Sequence, residues 1–319
     1  MPFRIVGTGS ALPERVVTND ELSTFLDTSD EWIRTRTGIR ERRVVSEESL
    51  TDLACAASRR ALEAAGVAAE DLDLIVCSTT TPDYIMPGQA CAVAASIGAE
   101  CAAFDLSAAC AGFVFALDVA EGWFARGRAR HVLVVAAEEM SRLVDWSDRA
   151  TCVLFGDGAA ACVLEAADDG LLAMDLSTSP DMHALAAPGI AGSSPFKQGE
   201  RPASILSMEG QRVFKFGVTT ICSAVKLLCA EAGVELGDID HFVFHQANER
   251  ILSAAVARLK LDDAKVARTL ETCGNISSVC IPLTLDNLVR TGALEEGDLV
   301  AIVGFGAGLD TGACLLRWS

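Results

Sequence analysis

Cys110, His245 and Asn275 are the residues whose types could together run acyl chemistry. Cys110 lies in Asp105-Leu106-Ser107-Ala108-Ala109-Cys110-Ala111-Gly112-Phe113, where a strand-like apolar stretch runs into a helix-like one. At a helix N-terminus, unpaired backbone N–H groups and the dipole favour an anionic thiolate, the reactive form of cysteine. His245 stands in His245-Gln246-Ala247-Asn248 behind the strand-like Phe242-Val243-Phe244, and Asn275 follows Gly274 at the start of another helix-like run. A nucleophilic thiol can carry an acyl group taken from a thioester. The backbone N–H groups of Cys110 and of Ala307, in Gly306-Ala307-Gly308, would hold the tetrahedral oxyanion. His245 and Asn275 can donate to the carbonyl oxygen of a second thioester, stabilising the enolate left when a malonyl group loses CO2. Taken singly, each has an ordinary alternative: a core cysteine, a strand-end histidine, a Gly-Asn turn. Their combination singles them out.

The elements that must position them can be read from pattern and repetition. Ala64-Ala65-Gly66-Val67 followed by Asp71-Leu72-Asp73-Leu74-Ile75-Val76 recurs as Glu231-Ala232-Gly233-Val234 followed by Asp238-Ile239-Asp240-His241-Phe242-Val243, an offset of 233 − 66 = 167. Phe115-Ala116-Leu117-Asp118 matches Leu283-Thr284-Leu285-Asp286 at 286 − 118 = 168, and Phe155-Gly156-Asp157-Gly158 matches Phe305-Gly306-Ala307-Gly308 at 305 − 155 = 150, so the halves differ in their final connection. Three matches in one order indicate a duplication, with halves at residues 1–170 and 171–319. On this offset His245 is the counterpart of Ser78, and Cys110 and Asn275 open equivalent helices. The first half reads as strands at about 3–9, 72–79, 102–106, 131–137 and 152–165, with helices at about 51–65, 88–97 and 110–126. Alternating α and β elements with near-continuous apolar strands predict sheets covered on both faces. Two such halves predict a layered α-β-α-β-α body with two pseudo-symmetric halves. Residues 170–210, rich in Gly, Pro, Ser and Ala, read as a long surface excursion between them.

Composition excludes several classes. Half of the 319 residues are hydrophobic, enough for a large core, and the formal net charge of −18 opposes nucleic acid as a general partner. Apolar runs such as Val132–Ala137 are too short to span a bilayer, and Met1-Pro2-Phe3-Arg4-Ile5-Val6 has no signal-peptide pattern. A cytoplasmic protein is expected, with no membrane partner. The 12 cysteines are scattered without a C-x-x-C pair or a zinc spacing, so no metal site is expected. Cys77, Cys162, Cys222, Cys229 and Cys314 read as small hydrophobes inside apolar segments. Arg34, Arg36, Arg40, Arg42 and Arg43 form a basic run, either a solvated face or a seat for a phosphate-rich ligand.

Ser29-Asp30-Glu31-Trp32-Ile33-Arg34-Thr35-Arg36-Thr37-Gly38-Ile39, Ala108-Ala109-Cys110-Ala111-Gly112-Phe113, Leu154-Phe155-Gly156-Asp157-Gly158-Ala159, His245-Gln246-Ala247-Asn248 and Gly274-Asn275 together resemble β-ketoacyl-acyl-carrier-protein synthase III. That family has the thiolase-like α/β fold and starts type II fatty acid synthesis. The resemblance implies a Cys110-His245-Asn275 triad and a homodimer. It also implies an acyl-coenzyme A primer, a malonyl-acyl-carrier-protein extender and no resident cofactor. It places coenzyme A against Trp32, Arg36, Thr37, Arg149, Gly210 and Asn248, with Trp32 and Arg149 flanking the adenine. It puts the carrier dock at Gln246, Ala247, Asn248, Glu249 and Arg250 with Lys215, and the acyl pocket at Met86 and Phe155. Three departures from the family's pattern bear on the acyl substrate: Ile276 in the Asn-Thr-Ser turn, Asp310-Thr311 in place of Thr-Trp, and Met86 where Phe is usual. The competing readings are a secondary-metabolism acyltransferase or ketide synthase of the same fold, and a non-catalytic acyl- or carrier-binding subunit. A papain-type hydrolase fits the duplicated frame poorly.

Overall fold

The computed structural model describes residues 2–189, 195–196 and 203–319. The first sheet contains β1 (Phe3–Ala11), β2 (Leu74–Ser78), β3 (Ala102–Leu106), β4 (His131–Glu139) and β5 (Asp157–Ala166), in the order β1-β5-β4-β2-β3. The second contains β6 (Leu171–Asp181), β7 (His241–Phe244), β8 (Leu299–Gly306) and β9 (Gly308–Arg317), in the order β6-β9-β8-β7. A parallel bridge from Phe242 to Val266 extends this sheet where the first sheet has β3. Both sheets run antiparallel, antiparallel, parallel from their first strand, so the two halves have one topology.

The principal helices are α1 (Asp30–Thr37), α2 (Leu50–Ala65), α3 (Gln89–Ile97), α4 (Gly112–Ala125), α5 (Gly210–Ala232), α6 (Glu249–Leu259) and α7 (Cys280–Arg290). Helices α4 and α7 form the middle layer. Their Phe113, Val114, Leu117, Ile281 and Leu285 fill a core with Leu74, Val76 and Val134 of one sheet and Val300 and Ile302 of the other. Helices α2 and α3 cover the outer face of the first sheet, where Leu53, Ala57 and Val93 meet Ile75, Leu133 and Val135. Helices α5 and α6 cover the second, where Ile221, Val225 and Leu252 meet Phe242, Phe244 and Val303. Strand alternation thus feeds both faces of each sheet, and the five layers follow. Close helix–strand approach explains the small residues: a Cβ on Gly7 or Gly9 would lie 2.3 or 2.4 Å from the carbonyl oxygens of Ala61 and Ala57 on α2.

Three expectations need correction. Residues 171–181 are not excursion but the edge strand β6, paired among the described residues only with β9. Its first half, Leu171-Leu172-Ala173-Met174-Asp175-Leu176, is apolar and packs on the two cores, whereas Ser177, Thr178, Ser179 and Pro180 are exposed and resemble a loop in composition. The strand expected from residue 152 starts at Asp157, because Cys152, Val153, Leu154 and Phe155 turn into a separate cluster with Ile33, Met140 and Leu270. Among the described helices α5 is long and apolar enough to cross a membrane, contrary to the expectation from short apolar runs. Its Ile221, Val225 and Leu228 instead pack on the second sheet.

The halves are also tied by polar contacts. Asp286 on α7 is fully buried and accepts hydrogen bonds from Thr8 Oγ1 (2.8 Å) and Ser10 Oγ (2.5 Å) on β1, and from Arg290 Nε (2.9 Å). Replacing Asp286 with Ala strands these donors, and the loss of stability should be about 2–3 kcal/mol. Denaturant unfolding of the D286A chain at an unchanged midpoint would show that this contact does not tie the halves.

Candidate active site

Cys110 sits in a single 3-10 turn, Ala109–Ala111, that leads into α4. No side chain caps this turn, and Ala109 holds a left-handed φ of 44°. The equivalent turn of the second half, Ser277–Val279, leads into α7 with Ser277 at a φ of 50°, and 277 − 109 = 168 restates the repeat. His245 continues β7 by one ladder bond, its N–H donating to the Val303 carbonyl at 2.8 Å. Asn275 is held by a bridge to Phe155, its N–H donating to Leu154 O (2.8 Å) and its carbonyl accepting from Gly156 N (3.1 Å). The side chains of Cys110, His245 and Asn275 line one cavity of about 1310 Å³, with only 6%, 1% and 6% of their surfaces exposed.

Burial sets their protonation. It pushes the Cys110 thiol up to about 12, outweighing its place at a helix start, while the nearby Ser277 hydroxyl works in the opposite direction. The resting side chain is therefore a thiol and not the expected thiolate. Burial also pulls the His245 imidazole down to about 3, so it is neutral at physiological pH. The ring stands edge-on to Phe305 at 5.2 Å between centroids, and its Nδ1 has no hydrogen-bond partner among the described residues. Asn275 is oriented by its oxygen: Oδ1 accepts the Ser277 N–H at 2.9 Å and lies 3.8 Å from Cys280 Sγ. That leaves the amide NH2 as the end able to donate to a ligand. Gly306 lies against the nucleophile, since a Cβ there would be 2.7 Å from Cys110 N and 2.9 Å from Cys110 Cβ. The neighbouring Ala307 lines the same cavity, so the two proposed oxyanion N–H groups come from facing segments.

Of the expected coenzyme A residues, Trp32, Arg36, Thr37, Gly210 and Asn248 line the cavity. Arg36 and Arg149 both lie over the Trp32 ring, at 4.5 and 5.0 Å from its centroid. Arg149 is off the cavity wall and also pairs with Asp27, so an adenine flanked by Trp32 and Arg149 requires the two to part. The Thr37 hydroxyl is already used inside the chain, donating to Ile33 O and accepting from Ile39 N. The basic run divides: Arg34 pairs with Asp30 and Arg40 with Glu271, whereas Arg42 is fully buried and donates to Val17 O, Asn19 Oδ1 and Val153 O.

The expected carrier dock shrinks. Gln246 is fully buried, donating to Phe244 O and Ala267 O and accepting from the N–H groups of Thr269 and Leu270, so it cannot touch a partner. Ala247 is buried on the cavity wall, and Glu249 is bonded to Arg268 and Ser253. Asn248 caps α6 by accepting Arg250 N, which leaves Arg250 and Lys215 as the exposed cations of this group. Phe155 lines the cavity as expected of an acyl wall, but Met86 does not: it is 81% exposed and off the wall, which Ile85 reaches instead. Ile276 points into the core, so the absent hydroxyl changes no cavity wall, whereas Asp310 lines the cavity and accepts from Thr178 Oγ1 at 2.6 Å. Sequence reasoning missed Ser277, Phe305 and the fully buried Glu138 beside them. A carboxylate ending the apolar run Val132–Ala137 was a signal for the last.

Residues 104–180 match the model of the 3-oxoacyl-[acyl-carrier-protein] synthase III family, and residues 229–318 match that of its C-terminal domain. The chain is 48% identical over 318 residues to a beta-ketoacyl-[acyl-carrier-protein] synthase III of Xanthomonas campestris pv. campestris, covering 99% of this chain and 98% of that one. It superposes on the corresponding synthase of Thermus thermophilus with a TM-score of 0.93 at 41% identity, covering 99% of each chain. It is equally similar, with a TM-score of 0.92 and 41% identity over 99% of this chain and 96% of the other, to the priming β-ketosynthase of the R1128 polyketide pathway.

The neutral imidazole gives a pH prediction. An unfolded chain binds a proton at His245 below pH 6.5, while the folded chain refuses it until about pH 3. This group therefore lowers stability as pH falls through that window, by up to about 1.4 kcal/mol per pH unit. The stability difference between the wild-type chain and His245→Gln, from urea unfolding, should shift by about 2 kcal/mol against the wild type between pH 6.5 and 5. A difference independent of pH would mean the imidazole is not held neutral.

Proposed function

The chain belongs to the 3-oxoacyl-[acyl-carrier-protein] synthase III family, and on that premise we propose that Cys110, His245 and Asn275 divide its reaction between them. The family's members are condensing acyltransferases that start type II fatty acid synthesis from an acyl-coenzyme A and malonyl-acyl-carrier protein. Cys110 takes the acyl group from coenzyme A as a thioester. The backbone N–H groups of Cys110 and Ala307 hold the oxyanion on the way in, and again when the acyl group is attacked. The malonyl thioester then places its carbonyl oxygen between His245 and the Asn275 NH2.

The observation that carries this reading is one buried cavity holding a thiol, a neutral imidazole and an amide already aimed by its oxygen. A neutral imidazole can donate a hydrogen bond to an enolate oxygen yet is a poor acid, so it does not quench the carbanion. The apolar wall at Phe305 disfavours the malonyl carboxylate relative to CO2. The carbanion attacks the acyl-cysteine and releases the β-ketoacyl product on its carrier. No resident cofactor is needed, because the two thioesters supply the leaving groups.

The exposed Arg250, which lines the cavity, and the exposed Lys215, between the lining residues Phe214 and Phe216, suit an acidic carrier protein on a chain of overall charge −18. A cytoplasmic homodimer completes the reading. Support for the dimer is the edge strand β3, paired among the described residues only with β2, whose Phe104 is 39% exposed, and the exposed Tyr84, Ile85 and Met86 ahead of α3. A second reading, priming of a polyketide, is favoured by the 41% identical R1128 ketosynthase and uses the same chemistry with another carrier. Rates with a fatty-acid carrier against a polyketide carrier separate them.

Cys110→Ala should abolish condensation and retain malonyl decarboxylation. His245→Ala and Asn275→Ala should still acylate Cys110, while decarboxylation falls about 10²–10³-fold. Condensation by the C110A chain at wild-type rate would end the proposal. Phe104→Glu should convert the dimer to a monomer by light scattering, and a persisting dimer would move the interface elsewhere.

A further inference from the structure

The two halves carry the same middle-layer turn but seat it differently. The turn Ala109–Ala111 rests on Gly306, where a Cβ would lie 2.7 Å from Cys110 N. The first-half position equivalent to Gly306 is Glu138 (306 − 138 = 168), fully buried near the end of β4. It meets the turn Ser277–Val279, which has no side-chain cap among the described residues. The repeat thus puts a carboxylate where its own copy has no side chain, and the chemistry above makes no use of it.

Glu138 gathers donors from both halves. Its Oε2 accepts from Thr80 N (3.1 Å), Thr80 Oγ1 (2.9 Å) and Thr81 Oγ1 (2.8 Å), in the segment after β2 that lines the cavity. Its Oε1 accepts from Ser277 Oγ (3.1 Å) and Ser278 Oγ (3.3 Å). Ser278 Oγ also lies 3.5 Å from Ser78 O, the more distant of its two acceptors. The backbone of the same Ser277 aims Asn275, its N–H donating to Asn275 Oδ1 at 2.9 Å. An unbroken line of hydrogen bonds therefore runs from Thr80 and Thr81 through Glu138 and Ser277 to the Asn275 amide. The Asn275 backbone is fixed separately, by Leu154 O and Gly156 N. What the tether governs is the direction of the side chain. If the Ser277 N–H moves, Oδ1 loses its donor and the amide is free to turn its oxygen towards an enolate, which needs the NH2.

We infer that Glu138 is a positioning residue: by tethering Ser277 and Ser278 to the first half, it sets the Asn275 NH2 for enolate stabilisation. The inference rests on the role given to Asn275 above. The Cys110 turn is seated on Gly306 and not on this tether, so acylation of the sulfur does not depend on it. Loss of the tether should therefore split the two half-reactions. Glu138→Ala breaks it outright. Glu138→Gln keeps it, because serine hydroxyls accept as readily as they donate and can meet the new NH2.

The test compares two half-reactions of the full chain: acetyl transfer from acetyl-coenzyme A to Cys110, and CO2 release from malonyl-acyl-carrier protein. Glu138→Ala is set beside a double variant, Ser277→Ala with Ser278→Ala, that removes the tether from its other end. Ala109 holds nearly the same φ at the position equivalent to Ser277, so the double variant is expected to fold even where E138A does not. In both, kcat for CO2 release should fall about 10²-fold relative to acetyl transfer, with KM for the malonyl carrier unchanged. E138Q should recover most of that loss. In an Asn275→Ala background the serine replacements should cause no further fall, since the amide they aim is gone. Equal falls in both half-reactions, no fall in the serine variant, or a further fall in the N275A background would overturn the tether. CO2 release by N275A alone at the wild-type rate would instead refute the role of Asn275 itself, on which the tether depends.

Discussion

Each half of this molecule presents the start of a middle-layer helix to the strand end of the other half, and the site exists only because those contacts are close. Gly306 must lack a side chain for the Cys110 turn to seat on β8, since any Cβ there would strike the nucleophile's own backbone. Glu138 fills the equivalent place on β4 and holds Ser277 and Ser278 of the matching turn. One duplicated frame therefore yields two unlike corners, a bare one that exposes a reactive sulfur and a carboxylate one that fixes the turn opposite. The left-handed residues Ala109 and Ser277 mark the same bend in both turns.

Burial is the second constraint, and it acts on every group in the cavity. It makes the thiol harder to ionise and the imidazole harder to protonate. Both effects suit a carbanion reaction, which is spoiled by acids and by water. The cost is that the orienting groups must be satisfied without solvent. The hydrogen bonds to Asn275 Oδ1 and to both oxygens of Glu138 meet that requirement from the turn Ser277–Val279 and the segment after β2. The unpartnered His245 Nδ1 is the exception, in a ring held by packing against Phe305.

Much of this was legible in the chain. The offset of 167 to 168 residues gave the two halves, and the meeting of Cys110, His245 and Asn275 follows from mapping them onto equivalent strand and helix ends. What was not legible shares a physical origin. Strand β6 escaped because its short apolar run, Leu171–Leu176, passes into the exposed Ser177-Thr178-Ser179-Pro180 and merges with the Gly-, Pro- and Ser-rich stretch that follows. Gln246 sits inside a recognised motif, yet its amide is spent on backbone groups of neighbouring segments, which local sequence cannot report. Met86 matches a family position whose side chain points away from this chain's own cavity. Ser277 and Glu138 are separated by 139 residues, and only the fold brings them together.

The central claim is that one sulfur among 12 cysteines carries the acyl group because the frame exposes it to the cavity and buries most of the rest. Incubation with acetyl-coenzyme A followed by peptide mapping tests this most directly. The account predicts a single acetyl thioester, on the peptide containing Cys110, that disappears when malonyl-acyl-carrier protein is added. Acetyl on another cysteine, or none on Cys110, would contradict it.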